Sequence, residues 1–256
     1  MQDTHHRIVQ TQFGTRAKAY VDSAVHAKGA DLDAVAQIAG ALRPPRALDL
    51  GTGGGHLSYI LAHHATEVTA ADLSSEMLTV VASSARERGL ANIRTVQAPA
   101  ERLPFDDGHF DFVGCRFSAH HWRDFDGGLR EARRVLKAGS RAVFIDVCSP
   151  GTALFDTHLQ AVELLRDTSH VRNYRADEWL AALIRSGFSL TGCRTWRLRM
   201  DFAVWIARMT TPEENVRAIR ALQRAAPAET KAYFAIEEDG SFLLDVLMVE
   251  TVSGES

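Results

Sequence analysis

A glycine-rich stretch followed by a single acidic residue is the sharpest chemical feature of the sequence. Residues 48–56 run LDLGTGGGH, between a short apolar segment and a helical pattern of leucine and isoleucine. Glycines let a backbone turn tightly and approach a ligand closely at the carboxyl end of a strand. Asp72 ends the next apolar segment, where a carboxylate can accept hydrogen bonds from both hydroxyls of a ribose. The combination predicts a site for a nucleoside-containing ligand, although the glycines taken alone also fit a tight turn without a ligand.

Two cofactors use this arrangement, and one residue distinguishes them. A dinucleotide site needs a third glycine where this chain has His56, together with free helix amides for the pyrophosphate. S-adenosylmethionine (SAM) has no phosphate and needs instead room for a methionine tail above the loop. His56 therefore favours SAM, and an NAD-dependent oxidoreductase is the alternative.

Three stretches resemble a known enzyme family. The pattern Asp49-x-Gly51-x-Gly53-x-Gly55 resembles the first motif of class I SAM-dependent methyltransferases. AERLPFDDGHFD at residues 100–111 and RVLKAG at residues 134–139 resemble two stretches of the ubiquinone/menaquinone-biosynthesis type. Together with Asp72 they form four motifs in order. The resemblance implies transfer of a methyl group from SAM to a small molecule, with S-adenosylhomocysteine (SAH) as product.

The likeness extends over nearly the whole chain to a bacterial subgroup typified by the Bacillus protein YcgJ. It is carried by SAHHW at residues 118–122, LRDTSHVR at residues 165–172 and the segment around Trp196. The subgroup does not indicate a substrate. A nucleic-acid amino-methyltransferase is disfavoured, because residues 115–118 are CRFS where that class carries an Asn/Asp-Pro-Pro-Tyr/Phe motif.

The resemblance implies a set of cofactor-binding residues. These are Tyr20, Gly51, Thr52, Gly53, Gly55, His56, Asp72, Leu73, Ala100, Glu101, Arg116 and Ser118. Tyr20 falls on a helix predicted over residues 15–27, which in this family can cover SAM. The family often has an aspartate for the adenine amino group where this chain has Pro99. We therefore expect backbone groups near Ala100 and Glu101 to recognise the adenine.

Methyl transfer from a sulfonium is an in-line displacement with a good leaving group, so it requires no metal. Its main requirement is orientation of the nucleophile, with a base only where a proton must leave. His120 and His121, just past the fourth predicted strand, are the candidate bases. The alternative is that one contacts SAM and the other packs beneath the following loop. Without a base, a non-catalytic SAM-binding protein also stays open.

A substrate-side cover is predicted over residues 151–175, which mix a helix with a polar run. Arg166, His170 and Arg172 are the expected substrate-binding residues, the two arginines suiting a carboxylate or phosphate. The alternative is that these side chains pin a surface loop. No His, Cys, Asp or Glu spacing predicts a metal site.

The elements that must position these residues alternate between strand and helix. Five apolar segments, at residues 47–50, 68–71, 93–96, 110–115 and 142–147, are separated by amphipathic segments. This pattern predicts a Rossmann-like, doubly wound α/β fold with a mostly parallel seven-stranded sheet, a helical N-terminal cover and a C-terminal substrate-side addition. We expect boundaries at 1–43, 44–150 and 151–256. Later segments predict an edge strand at 190–202, with Phe202 on its apolar face, and a hairpin pairing 232–237 with 242–251. Asp31 is expected to cap a helix that Pro44-Pro45 ends.

Composition narrows the function classes. The 256-residue chain has a formal net charge of −3, which disfavours a nucleic-acid partner. Its three cysteines have no metal-binding spacing and fit a reducing cytoplasm. The polar N-terminus predicts no signal peptide, and no apolar run reaches the roughly 20 residues that span a bilayer. The sequence does not indicate an oligomeric state.

Overall fold

A seven-stranded sheet forms the centre of the computed structural model, which describes residues 4–14 and 29–254. The strands are β1 (Arg46–Leu50), β2 (Glu67–Asp72), β3 (Ile93–Gln97), β4 (Phe110–Arg116), β5 (Leu136–Cys148), β6 (Phe188–Met200) and β7 (Phe242–Ser253). Their order across the sheet is β3-β2-β1-β4-β5-β7-β6. The first five strands are parallel, and β7 runs antiparallel between β5 and β6. The predicted fold class is confirmed.

Helices cover both faces of the sheet, because the buried strands carry apolar side chains on both sides. Described helices span Thr4–Gly14, Ala30–Leu42, His56–Ala62, Ser75–Glu87, Phe125–Val135, Ala153–Arg166, Ala176–Arg185, Phe202–Met209, Glu213–Ala225 and Ala228–Tyr233. In β1, Leu48 packs towards one face and Ala47 towards the other. A third apolar cluster around Trp205 and Phe234 joins the C-terminal helices to the ends of β5, β6 and β7. This cluster places the C-terminal addition beside the carboxyl edge of the parallel strands.

Three local predictions are wrong. Asp31 does not cap its helix: the helix begins at Ala30, and the Asp31 carboxylate forms a buried ion pair with Arg116. Residues 232–237 form no strand, because the helix Ala228–Tyr233 continues into turns. Their expected partner, β7, instead pairs with β5 and β6. The edge strand is present, but Phe202 begins a helix capped by Asp201.

The N-terminal cover is partly described. The helix predicted over residues 15–27 lies outside the described residues, whereas residues 4–14 form a helix. The boundaries at 43 and 150 stay predictions, and β6 and β7 complete the same sheet as β1–β5. Among the helices described, none is both long and apolar enough to span a membrane.

Candidate functional site

A large cavity opens at the carboxyl ends of β1, β2 and β4. It encloses about 970 Å³ of open space, counting its mouth. The chain passes from β1 to β2 on one side and returns to β4 on the other. Open α/β sheets bind ligands at such a reversal of strand order, because the loops there diverge and leave a crevice. The topology therefore places the cavity where the glycine loop and Asp72 meet.

The glycine loop is anchored to β2 and leaves room in front of it. The amides of Gly51 and Thr52 both donate to the carbonyl of Ala71 at 2.9 Å. Gly53 has a φ of +49°, and a Cβ built there would meet no atom within 4 Å. A left-handed backbone favours glycine, and the open space beside Gly53 belongs to the cavity. The loop thus forms the floor of the cavity, and any side chain at Gly53 would occupy the open space above it.

Asp72 is held rigidly at the end of β2. One carboxylate oxygen accepts the amide of Gly53 at 2.9 Å, and the other accepts the amide of Ser74 at the same distance. Burial raises the pKa of Asp72, and these backbone hydrogen bonds act in the opposite direction. A carboxylate oxygen accepts more than one hydrogen bond, so both oxygens keep capacity for hydroxyl groups of a ligand in the cavity.

A second acidic residue, Asp49, lies beneath the loop. Its carboxylate accepts hydrogen bonds from the hydroxyls of Thr52, whose distance is 2.6 Å, and Ser58, whose distance is 2.7 Å. Burial raises the pKa of Asp49 to about 6, against the effect of these two hydrogen bonds. Asp49 also lines the cavity. The sequence motif contains this residue, but its side chain was not among the predicted ligand contacts.

The N-terminal helix Thr4–Gly14 lies across the cavity. His6, Val9 and Phe13 line the cavity, and the amide of Gln10 donates to the carbonyl of Leu73 at 3.2 Å. The Phe13 ring meets the His121 ring edge-on at a centroid distance of 5.0 Å. These contacts were not predictable from composition, because the segment is mostly polar. The spacing of Val9 and Phe13, four residues apart on a helix, was the available signal.

A second chamber of about 550 Å³, counting its opening, adjoins the first cavity. The two share Phe13, Phe117 and His121 as lining residues. Phe117 has a φ of +50°, an uncommon conformation for a residue with a side chain. Such backbone strain persists only where the surroundings impose it. Phe117 and His121 therefore form a boundary between the two spaces.

His120 and His121 have opposite electrostatic environments. Burial lowers the pKa of His120, but the charge and hydrogen bond of Asp146 outweigh it, and the net shift is upward. The His120 Nδ1 lies 2.5 Å from Asp146 Oδ1. Burial and the charge on His120 lower the pKa of His121 to about 4. With a pKa of about 4, the His121 imidazole is neutral at neutral pH and keeps a lone pair.

The partners of His121 define which nitrogen holds that lone pair. Its Nδ1 lies 3.2 Å from the carbonyl of Ser169 and donates to it, which assigns the lone pair to Nε2. That Nε2 lies 3.9 Å from Asp167 Oδ2. This carboxylate oxygen is buried and has no hydrogen-bond partner among the described residues. Asp167 would stabilise a proton received by Nε2.

Most predicted cofactor-binding residues meet at the first cavity. Those that line it are Gly51, Thr52, Gly53, His56, Asp72, Leu73, Ala100, Glu101, Arg116 and Ser118. Gly55 does not line it: a Cβ there would lie 2.7 Å from the Tyr59 ring, so this glycine permits the turn into the helix. Tyr20 lies outside the described residues. Arg116 faces the cavity, and its guanidinium is paired with Asp31.

The expected substrate-binding residues separate from one another. Arg166 lines the second chamber, donates to the carbonyl of Trp205 at 3.1 Å and pairs with Glu163. His170 lines neither cavity. Its Nε2 lies 2.9 Å from the Gln160 amide oxygen, and burial, followed by nearby positive charges, lowers its pKa to about 2.

Arg172 also lines neither cavity, because Asp156 and Glu178 hold its guanidinium at 3.2 and 3.6 Å. The expected placement of His170 and Arg172 at a cavity is thus corrected: neighbouring helices supply partners that draw both side chains away. The loop that carries them still rests on the histidine pair, since the amides of Val171 and Arg172 both donate to the carbonyl of His120.

Metal ligands do not gather in the described part of the chain. No group of three or more His, Cys, Asp and Glu residues there could hold a metal ion. The polar side chains that line the two cavities include carboxylates, imidazoles, guanidinium groups, hydroxyls and the carboxamide of Asn173.

Comparisons with known proteins agree on one family. Residues 48–144 match the model of a methyltransferase domain. The chain is 46% identical over 200 residues to the uncharacterized protein YafE of Escherichia coli (strain K12), covering 78% of this chain and 97% of that protein. It is 32% identical to the uncharacterized methyltransferase YcgJ of Bacillus subtilis (strain 168), over 95% of this chain and 98% of that protein.

A more distant relative and a solved structure support the same family. The ubiquinone/menaquinone biosynthesis C-methyltransferase UbiE of a Shewanella species is 34% identical over 58% of this chain and 62% of that protein. The crystal structure of Bacillus YcgJ superposes with a TM-score of 0.83, at 31% identity, covering 88% of this chain and 98% of that chain. The resemblance drawn from the sequence motifs is confirmed.

Proposed function

The chain belongs to the methyltransferase family, and on that premise we propose that it transfers the methyl group of SAM to a small-molecule acceptor. The observation that carries this proposal is the position of Asp72, which lines the same cavity as the glycine loop and is held there by the amides of Gly53 and Ser74. SAM, when bound, supplies an electrophilic methyl group on a sulfonium. The following roles belong to residues of this chain.

The first cavity suits a nucleoside with a tail. Asp72 would accept hydrogen bonds from the ribose hydroxyls, and the open space beside Gly53 would admit the remainder of the molecule. Ala98, Pro99 and Ala100 offer a largely apolar wall whose backbone groups would recognise the adenine ring. Pro99 stands where the family often has an aspartate. Glu101 also lines this wall, and its carboxylate accepts the amide of Asp124 at 3.2 Å.

Orientation of the acceptor at the Phe117–His121 boundary would provide most of the rate enhancement. Phe13, Phe117 and His121 line both spaces, so they would fix an acceptor in the second chamber relative to the first cavity. Holding two reactants in line can contribute about 7–11 kcal/mol. The N-terminal helix and the loop after Arg166 would also exclude water.

His121 is the better candidate base of the predicted pair. Its Nε2 would receive a proton from the acceptor, and Asp167 would stabilise the resulting charge. A base with a pKa of about 4 is weak, but a nucleophile becomes far more acidic as it gains a methyl group. General base catalysis contributes about 10²–10⁴-fold. His120, fixed by Asp146, would tune His121 rather than contact the methyl group.

A small-molecule acceptor in the cytoplasm completes the proposal. Three free thiols, at Cys115, Cys148 and Cys193, support a reducing compartment. The slightly acidic net charge argues against nucleic acid as the acceptor. The printed name of the UbiE relative describes a C-methyltransferase, so carbon joins oxygen, nitrogen and sulfur among the acceptor atoms to be tested.

Calorimetric titration with SAM, SAH and NAD tests the cofactor. We expect SAM and SAH to bind and NAD to give no heat, and tight NAD binding without SAM binding would reject the proposal in favour of an oxidoreductase. Transfer of labelled methyl from SAM to a metabolite panel then tests turnover. SAM binding with no transfer to any acceptor would identify a non-catalytic SAM-binding protein.

A further inference from the structure

An unpartnered amide lies in the wall of the second chamber. Asn173 is 1% exposed and lines this chamber. Neither the oxygen nor the nitrogen of its side-chain amide has a hydrogen-bond partner among the described residues. Buried polar groups in folded proteins are nearly always hydrogen-bonded, because leaving them unpaired costs stability. An exception in a residue that lines a cavity points to a ligand that completes the pairing.

The backbone of Asn173 is fixed, so the amide does not drift towards another partner. The Gln160 amide accepts from the backbone nitrogen of Asn173 at 3.1 Å and donates to its backbone oxygen at 2.8 Å. Gln160 is itself held by Asp156 at 2.8 Å. The helix Ala153–Arg166 thereby presents the Asn173 side chain as a preorganised donor and acceptor.

The other side chains that line the second chamber indicate the polarity of the rest of the ligand. Apolar side chains form much of the chamber, namely Phe13, Phe117, Val147, Leu198, Met200 and Leu244. They predict a ligand with an apolar body.

The charged side chains that line this chamber are Arg166, Arg208 and Glu163, together with His120, whose pKa is raised. Asp146 does not line the chamber but pairs with His120 from behind its wall. Arg166 is committed to Glu163 and to the carbonyl of Trp205. Glu163 and Asp146 thus already compensate Arg166 and His120. A phosphate or carboxylate needs such compensation when it leaves water, so the chamber favours an uncharged ligand.

We propose that the second chamber receives the methyl acceptor and that Asn173 is its polar anchor. The acceptor is an uncharged molecule with an apolar body and an adjacent hydrogen-bond donor and acceptor, as in a carboxamide, which pair with the Asn173 amide. This inference rests on the proposed function, because it places the acceptor across the Phe117–His121 boundary from the cofactor cavity.

Four matched probes test the ligand chemistry. Benzamide presents an adjacent donor and acceptor, acetophenone has the same shape without the donor, and benzoate and phenyl phosphate add charge. Affinities are measured from the methyl resonance of Met200, with and without saturating SAH. We expect benzamide to bind at least tenfold more tightly than acetophenone and both ions to bind more weakly than benzamide. Equal affinities for benzamide and acetophenone, or preference for an ion, would overturn the inference.

Asn173→Leu separates a ligand anchor from a structural residue. Removing an unpaired buried amide should raise the thermal midpoint, abolish the preference for benzamide over acetophenone and leave SAH affinity unchanged. Asn215→Leu is the matched control, since the Asn215 amide donates to the carbonyl of Leu165 at 2.8 Å, and it should lower the midpoint. Asn173→Ala serves the same comparison if leucine overpacks the wall. A midpoint lowered by both Asn173 variants as in the control would assign Asn173 a structural role and overturn the inference.

Failure of the two proposals gives different results. Absence of SAM and SAH binding, with benzamide selectivity retained, would reject the proposed function while the ligand chemistry of the chamber stands. Normal SAH binding without probe selectivity would reject the acceptor chamber alone.

Discussion

The imidazole of His120 lies 2.5 Å from the carboxylate of Asp146, and the same carboxylate accepts the backbone amide of His120 at 3.2 Å. The charge of Asp146 and its hydrogen bond to the imidazole favour the charged form of this buried histidine. The ring of His121 is only 4.2 Å away between centroids, so a charge on His120 adds to burial in lowering the pKa of its neighbour.

Replacement of Asp146 by Asn should move the two histidines in opposite directions. The pKa of His120 should fall, because burial then acts without the opposing carboxylate. The pKa of His121 should rise from about 4, because the lost charge on His120 outweighs the smaller direct effect of Asp146, which raises this pKa in the unmodified protein. Histidine ¹⁵N chemical shifts followed across pH measure both values. A His121 titration that does not move would contradict the coupling.

His121 should also make the fold more stable at neutral than at acid pH. The folded state holds this imidazole neutral with a pKa of about 4, whereas the unfolded chain takes up a proton near 6.5. Its contribution is therefore complete above pH 6.5 and is lost as pH falls towards 4. Between pH 7.5 and 5 the loss amounts to about 2 kcal/mol.

Urea unfolding at the two pH values checks this contribution. His121→Gln should show a smaller decrease in the free energy of unfolding than the unmodified protein. The exposed His63 provides the control, since His63→Gln should leave the decrease unchanged. Identical pH dependence in all three proteins would contradict the placement of His121.

Asp72→Ala should weaken SAM binding about tenfold to a hundredfold. Each hydrogen bond to a charged group contributes about 1.5–3 kcal/mol, and every 1.4 kcal/mol corresponds to tenfold in affinity. Calorimetry measures the loss, with Asp126→Ala as control because Asp126 forms an exposed ion pair with Arg185 and does not line the cavity. Unchanged SAM affinity in a folded Asp72→Ala protein would remove Asp72 from the ribose site.

Gly53→Ala should weaken SAM binding, and Gly89→Ala is the control that separates this effect from a loss of stability. Gly53 and Gly89 both have positive φ, +49° and +71°, and a Cβ at either position meets no atom within 4 Å. The two alanine variants should therefore lose similar stability, about 1–2 kcal/mol. Only Gly53 lines the cavity, so only its variant should bind SAM more weakly. Equal SAM affinity in both variants would mean that the loop does not contact the cofactor.

Local patterns were sufficient to predict strands β1–β5 and the position of the glycine loop. Each buried strand is a short apolar segment bounded by polar or glycine residues, and a left-handed turn after β1 requires glycine. Asp72 was predictable because parallel strands end at one edge of the sheet. These features depend on neighbours in sequence, which a single chain reveals.

Contacts between distant segments were not predictable in the same way. Arg172 lies in a polar run after a helix, which is a plausible place for a substrate-binding arginine. In the structure its guanidinium instead pairs with Asp156 on that helix. Asp239-Gly240 does form a turn, whereas the segment before it is helical and β7 pairs elsewhere. The Asn173 amide gave no sequence signal, since its significance lies in partners that are missing from its surroundings.

The place of β7 in the sheet has a consequence for the order of assembly. β7 follows every other described strand in the chain, yet it lies between β5 and β6 and is the sole sheet neighbour of β6. On the ribosome, β1–β5 emerge about a hundred residues before β7 is made. Until then β5 presents an open edge and β6 has no strand to join, which is the situation in which nascent chains pair with one another. Synthesis of this protein thus includes a period in which β1–β5 are all available to form a sheet while the edge of β5 is still unpaired.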